Sequence, residues 1–248
     1  LFSTAANICD ESVSLNTVGT QSRYTTNGTF TSDTAPQEAI DNLLRSMGGM
    51  IWYSQGKWGC KAAAYTTPII TLDEHDLRSS LQIQTRRSRR DGFNKVTGIF
   101  RGPETNYFQT NYPALSSAQF LADDNNLEAE LELDLPFVDT SQQAQRISKI
   151  ALYRNREQLR ITGSFGMRAL QLTVGDLVNI TNTRLGFATK PFEVAEWRFK
   201  MGSDMTLEVY MTLQEISIGV FEWDADETAF EANNTALLSP FNVPSVSV

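Results

Sequence analysis

The chain has 248 residues, 41% hydrophobic and 20% charged, the balance of a globular protein long enough to bury a real core in one large or two small domains. Its formal net charge of -8 argues against general nucleic-acid binding, which needs a basic surface. No apolar run approaches the roughly 18–20 residues that span a bilayer, and Leu1-Phe2-Ser3-Thr4 lacks the basic n-region of a signal peptide.

The first clear element is a helix over residues 33–47. Thr34 and Gln37 have capping-box spacing, Pro36 lies in the first turn and Gly48 follows the last. Ile40, Leu43, Leu44 and Met47 form its apolar stripe. A hairpin follows, with strands at 50–53 and 57–65 around a Ser54-Gln55-Gly56 turn, and then a short strand at 68–72. Thr71 and Glu74 again show capping-box spacing. That explains Asp73-Glu74-His75-Asp76 as the acidic first turn of a helix better than as a metal site. His75 is the single histidine, so zinc ligation or a His-based triad would rest on one residue.

Strand patterning resumes from Leu81 to Phe100 and contains Thr85-Arg86-Arg87-Ser88-Arg89-Arg90. Strand alternation would place Arg86 and Ser88 on one face and Arg87 and Arg89 on the other. Three readings stay open for the arginines: DNA phosphate contacts, ion pairs with acids of this chain, or a subunit contact that uses the planar guanidinium fork. Residues 101–126 read as loop. Within it Tyr107, Phe108 and Tyr112 stand among amides, a composition suited to packing, a subunit contact or ligand recognition.

Leu127 to Leu135 alternates leucine or alanine with Glu128, Glu130, Glu132 and Asp134, predicting a strand with one buried and one acidic face. Glycosidases need two carboxyls facing each other across a cleft, whereas these four share one strand face. A second helix is predicted over 141–158, capped by Ser141, with Ala144, Ile147, Ile150 and Ala151 buried. Strands follow at 159–163, 169–172, 177–181, 192–199 and 205–216, with a tight turn at Val174-Gly175-Asp176. The pattern as a whole predicts an α+β fold, mostly antiparallel, with two main helices and strands spaced for a barrel or sandwich. Cys9 and Cys60 are the only cysteines, too few for a disulfide framework, and read as reduced thiols. No P-loop, Gly-x-Ser-x-Gly elbow or dinucleotide fingerprint occurs, so no catalytic, cofactor or metal residue is assigned.

Five segments in order carry a resemblance. They are Ala5-Ala6-Asn7-Ile8-Cys9-Asp10-Glu11, the stretch from Met47 to Trp58, the stretch from Thr85 to Val96, Leu133-Asp134-Leu135-Pro136-Phe137-Val138, and Pro191 to Phe199. Together they resemble the tail-tip attachment (host-specificity) proteins of lambda-like siphophages and prophages, over about residues 5–224. The matching fold markers are Cys9, Asp10, Gly48, Gly49, Arg86 to Arg90, Gly175, Asp176 and Trp197.

The resemblance implies a non-enzymatic tail hub without cofactors, a homotrimer whose chains each carry two small barrel-like domains in a pseudo-sixfold ring. Its partners would be other phage tail proteins, and its place the virion tail tip, assembled in the bacterial cytoplasm. Its role would be to join the tail tube to receptor-binding parts during attachment and DNA delivery. The implied division is a small α/β hub domain over 1–72, a β-barrel-like hub domain over 73–223 and a connector over 224–248 toward fibronectin-like domains. The chain, starting at Leu1 and stopping at Val248, then reads as a fragment of something longer. Arg86, Arg87, Arg89 and Arg90 become a candidate subunit interface, and Tyr107, Phe108 and Tyr112 a candidate contact loop. The alternatives are a carbohydrate- or receptor-binding module and an envelope-degrading hydrolase.

Overall fold

The computed structural model describes residues 2–16, 19–54, 56–202, 205–223 and 226–231. In chain order, helix α1 (Phe2–Asp10) leads to β1 (Ser12–Ser14), β2 (Thr20–Ser22) and helix α2 (Pro36–Ser46). The hairpin β3 (Met50–Ser54) and β4 (Lys57–Lys61) is followed by β5 (Ile70–Leu72) and β6 (Gln82–Gln84). Short strands β7 (Lys95–Thr97), β8 (Ile99–Phe100), β9 (Thr110–Asn111) and β10 (Leu115–Ser116) precede helix α3 (Ala118–Asp123) and β11 (Glu130–Glu132). Helix α4 (Ser141–Arg156) then leads to β12 (Arg160–Phe165), β13 (Leu177–Asn182), β14 (Phe187–Met201) and β15 (Leu207–Glu215).

The main sheet has the order β5-β13-β14-β15-β12-β6, antiparallel throughout except for the parallel β5–β13 edge. A three-stranded sheet, β10-β7-β11, holds the parallel β7–β11 pair. The α+β class and the antiparallel bias are therefore those predicted. Among the described residues β5 and β6 do not pair with each other, so the main sheet stays open and no closed barrel forms.

Two apolar cores result. One lies on the main sheet, with Leu72, Ile161, Phe165, Val178, Phe192, Val209, Met211 and Leu213 at its centre. The other gathers Ala5, Ile8, Tyr24 and Ala62 from the first part of the chain with Phe100, Leu135, Val138, Ala144, Ile147, Ile150 and Val220. Each buried leucine, isoleucine or phenylalanine contributes about 1.5–3 kcal/mol.

Several predicted boundaries move, each for a local reason. α2 starts at Pro36 behind Ala35, and Thr34 does not cap it. Proline lacks an N–H and has its φ already fixed, so it opens the helix by itself. Gly48 closes it at φ 54, its N–H donating to the Arg45 carbonyl. The stripe is also rotated: Ile40 and Leu43 are exposed, while Ala39 and Ser46 are buried. The cap placed on Thr71 belongs to Asp73, which closes a reciprocal box with Asp76 over the single 3-10 turn Glu74–Asp76. Residues 169–172 lie in or beside a 3-10 turn (Met167–Gln171) rather than in a strand; Ala169 and Leu172 are buried all the same, a case where apolarity marks burial without fixing conformation. The stretch read as loop holds α3, capped by Ser117.

The 127–135 strand shortens to β11. Alternation holds from Ala129 to Leu133, and Leu135 is 1% exposed, but Leu127 is 72% exposed because pairing with β7 begins only at Glu130. Of the expected 224–248 connector, residues 226–231 pack against α4 and Phe100, and the rest lies outside the described residues. Leu135→Ala should accordingly cost about 2–5 kcal/mol, and Leu127→Ala less than about 0.5 kcal/mol. Urea unfolding midpoints measure both, and similar midpoints would show that the strand is framed wrongly.

Candidate interaction surfaces

Helix α4 anchors the base of the arginine segment at Asp91 and the end of the aromatic loop at Tyr112. Ten of its residues are buried, and half a dozen of these are polar. The bonded polar side chains tie down several remote segments. Gln143 donates to the Thr25 and Ser46 carbonyls and accepts from Thr25 N. Gln145 and Thr228 exchange two hydrogen bonds of 2.9 and 2.8 Å. Ser148 donates to the Tyr112 hydroxyl, and Asn155 to the Asp91 carbonyl. Arg156 forks onto Asp124 and reaches the Phe93 carbonyl. Arg154 pairs with Glu193 of β14, a 6% exposed carboxylate that also holds Lys61 of β4 at 3.3 Å. Arg146, 1% exposed, lies 5.6 Å from the Trp223 ring centre with no hydrogen-bond partner among the described residues. Burial holds its guanidinium down to about 10.

The arginine segment hangs from this frame. Thr85 to Ser88 leave the sheet after β6, and Arg89–Asp91 form one 3-10 turn. The two-faced strand arrangement therefore does not exist. The chain departs because β12, the partner of β6, starts at Arg160, opposite Gln84. The Asp91 carbonyl is held by Asn155, so the cluster projects from a fixed point. Arg86, Arg87 and Arg90 are exposed and form no ion pair among the described residues; Arg87 donates to Gln214 at 3.1 Å. The Arg89 side chain lies outside what is described. Beneath the cluster is an open groove of about 510 Å³ whose lining includes Arg87, Asp91, Phe93, Arg154, Arg160 and Glu193.

The aromatic loop divides. Asn106 and Tyr107 take left-handed backbone at φ 53 and 61, and this turn leaves Tyr107 56% and Phe108 74% exposed, side by side. Tyr112 parts from them. It is 3% exposed, donates to the Leu133 carbonyl at 3.0 Å and accepts from Ser148, so it belongs to the core. No hydrogen bond or ion pair joins the loop to the arginine cluster among the described residues.

Other positions weighed for chemistry are structural. His75 is exposed on its turn, and Asp76 is buried against Arg168 at 2.7 Å. Glu74 accepts from the Thr183 amide and hydroxyl, which lower its carboxyl below the usual range. Among the described residues no group of three or more His, Cys, Asp or Glu is arranged to hold a metal. Glu130 and Glu132 line a groove of about 550 Å³, and among the described residues no other carboxylate lines it. Cys9 and Cys60 are free thiols, pushed above their ordinary value by burial. Among the described residues no helix is long and apolar enough to cross a membrane.

Sequence reasoning missed two exposed apolar features. Tyr53 and Trp58 pack with ring centres 5.1 Å apart and planes tilted by 56° on the β3–β4 hairpin, cross-strand partners whose opposition the hairpin register would have revealed. Phe199, Met201, Met205 and Leu207 crowd the far end of the β14–β15 hairpin.

Residues 35–197 match the model of a family described as "Putative phage tail protein". No curated protein matches the sequence. Among solved structures, a chain in the virion of a native gene transfer agent particle is similar at a TM-score of 0.62 and 16% identity, over 80% of this chain and 43% of that one. The tail protein from Neisseria meningitidis MC58 is similar at a TM-score of 0.51 and 16% identity, over 73% of this chain and 54% of that one. The chain thus spans about half the length of each, and at such identity the likeness is one of fold.

Two measurements check this frame. Glu193→Ala leaves Lys61 and Arg154 facing each other unneutralised and should cost about 3–5 kcal/mol in chemical denaturation; a loss under about 1 kcal/mol would show that Glu193 is not a structural tie. Burial, the main cause, pushes Tyr24 and Tyr112 up to about 12 from an ordinary 10. An acid raised in the folded state favours folding while neutral, so stability should be intact below about pH 10 and fall as pH rises toward about 12. Tyr24→Phe should flatten that fall, and an unchanged alkaline profile would contradict the assignment.

Proposed function

We propose a role from one premise: this chain belongs to the phage tail protein family. The coarse consequence is a structural component of a tail. Within that, the chain serves as the hub of the tail tip, working as a homotrimer between the tail tube and the receptor-binding parts. It performs no catalysis itself. The observation that carries this reading is the family match over residues 35–197, joined to the ordered resemblance from Ala5 to Phe199.

Two structural features support the hub reading. Arg86, Arg87 and Arg90 stand exposed from a fixed base with no ion pair among the described residues. In a chain of net charge -8, such cations suit a neighbouring subunit of the same composition. Tyr107 and Phe108 offer a second contact of the aromatic kind enriched at interfaces. The same aromatic pair is the one observation that favours a carbohydrate- or receptor-binding module instead.

Electron microscopy of tails carrying this chain should show three copies around the axis at the tip, with the 86–90 segment at a subunit boundary. Reversing Arg86 and Arg87 to glutamate should lower the yield of assembled tips by roughly tenfold while monomer accumulates. A position along the tail shaft, a different copy number or peptidoglycan cleavage by the purified chain would overturn the hub reading. Normal assembly of the reversed variant would remove only the arginines' part in it.

A further inference from the structure

The β14–β15 hairpin runs past the rest of the main sheet. β13 pairs with β14 only as far as Glu193, so Glu196 to Met201 are bonded on one side alone, to β15. Gly202 N donates to the Thr206 carbonyl at the hairpin end. Antiparallel bonding alternates, so Lys200 and Arg198 face β15, while the N–H and C=O groups of Trp197, Phe199 and Met201 point outward. Those outward groups have no backbone partner among the described residues. Apolar side chains crowd the same arm: Phe199, Met201 and Leu207 are 50%, 63% and 42% exposed, and Met205 at its tip is 83% exposed. An exposed, apolar, unpaired edge is a template for another strand, and native proteins cover it.

A fitting strand exists on the same molecule. β11 is the outer strand of the β10-β7-β11 sheet. Lys95 N donates to Ala129 O and Leu133 N to Thr97 O, so the odd-numbered residues of β11 bond β7 and Glu130 and Glu132 direct their backbone groups outward. In a parallel pair, an outward-facing residue lies opposite one that faces away and bonds to its two neighbours. Phe199 opposite Leu131 would then donate to Glu130 O and accept from Glu132 N.

That register sets Arg198 against Glu130 and Lys200 against Glu132 on one face, with Phe199 against Leu131 on the other. The Glu130 and Arg198 side chains are 47% and 68% exposed. Their existing partners leave room for this: Lys95 reaches Glu128 and Glu130 only at 3.9 and 3.7 Å, and Glu130 also accepts from Thr97. Glu196, next in register against Glu128, is neutralised at 3.0 Å by Arg198.

We infer that the β14 arm of one copy adds as a parallel strand to the β11 edge of a second copy of this chain, in the register Arg198–Glu130, Phe199–Leu131 and Lys200–Glu132. The contact is head-to-tail: each copy offers one arm and one β11 edge, so each copy can engage two neighbours. The inference rests on the reading of the chain as a self-associating tail component and names a surface apart from the arginine cluster.

Sedimentation velocity of the chain over a concentration series tests it. The unaltered chain should self-associate, and less so at high salt. Arg198→Glu/Lys200→Glu and Glu130→Lys/Glu132→Lys should each weaken self-association by roughly tenfold or more, with unchanged circular dichroism. Mixing the two double variants restores both complementary contacts, the reversed arm of the first on the reversed β11 of the second and the native arm of the second on the native β11 of the first, and should restore association with the two variants present in equal amounts. A chain that stays monomeric at every concentration overturns the inference. So does association that survives both reversals, or a mixture that forms no complex. None of these results bears on copy number at the tail tip, so the hub reading stands or falls separately.

Discussion

A buried helix that is polar over much of its circumference governs this structure. Core helices are usually apolar all round, because an unbonded polar group in the interior costs about 1–3 kcal/mol. α4 meets that constraint by giving its bonded polar side chains partners from distant parts of the chain: Thr25, Ser46, Asp91, Tyr112, Asp124, Glu193 and Thr228. Its apolar stripe of Ala144, Ile147 and Ile150 supplies burial, and its polar faces decide which segment lies where. Arg146 is the exception, a buried cation facing the Trp223 ring.

The surfaces read as functional are consequences of that frame. The arginine segment projects because Asn155 pins Asp91 after β6 has left the sheet. The β14–β15 arm projects because the bonds of Glu193 to Arg154 and Lys61 fix the base of β14, while β13 stops pairing there. Rigid bases with unpaired ends suit a component that completes its bonding only in an assembly. That agrees with membership of a tail protein family.

Much of the local structure was legible in the sequence. Both main helices, the β3–β4 hairpin and the Gly175 turn follow from periodicity, glycine placement and turn chemistry. What failed was any inference that depended on remote partners. The stripe on α2 was sound as a pattern, yet Gln143 draws Ser46 inward and leaves Ile40 and Leu43 outside. Tyr112 looked like its loop neighbours until Ser148 and the Leu133 carbonyl placed it in the core. Helix α1 was not predicted, since its buried face is only Ala5 and Ile8. The free edges of β11 and β14 depend on where pairing stops, which no local pattern encodes.

Native-state hydrogen exchange tests most directly whether α4 is the element that the rest depends on. Amides from Ala144 to Asn155 should exchange only through global unfolding, at least as slowly as those of β14 and β15. In Gln143→Leu, which keeps the helix and removes the side-chain bonds, protection at residues 25–27 and 46–48 should fall together while the main sheet stays protected. If α4 opened independently of global unfolding, or if those two segments lost no protection in the variant, the account of a buried polar helix organising remote segments would be wrong.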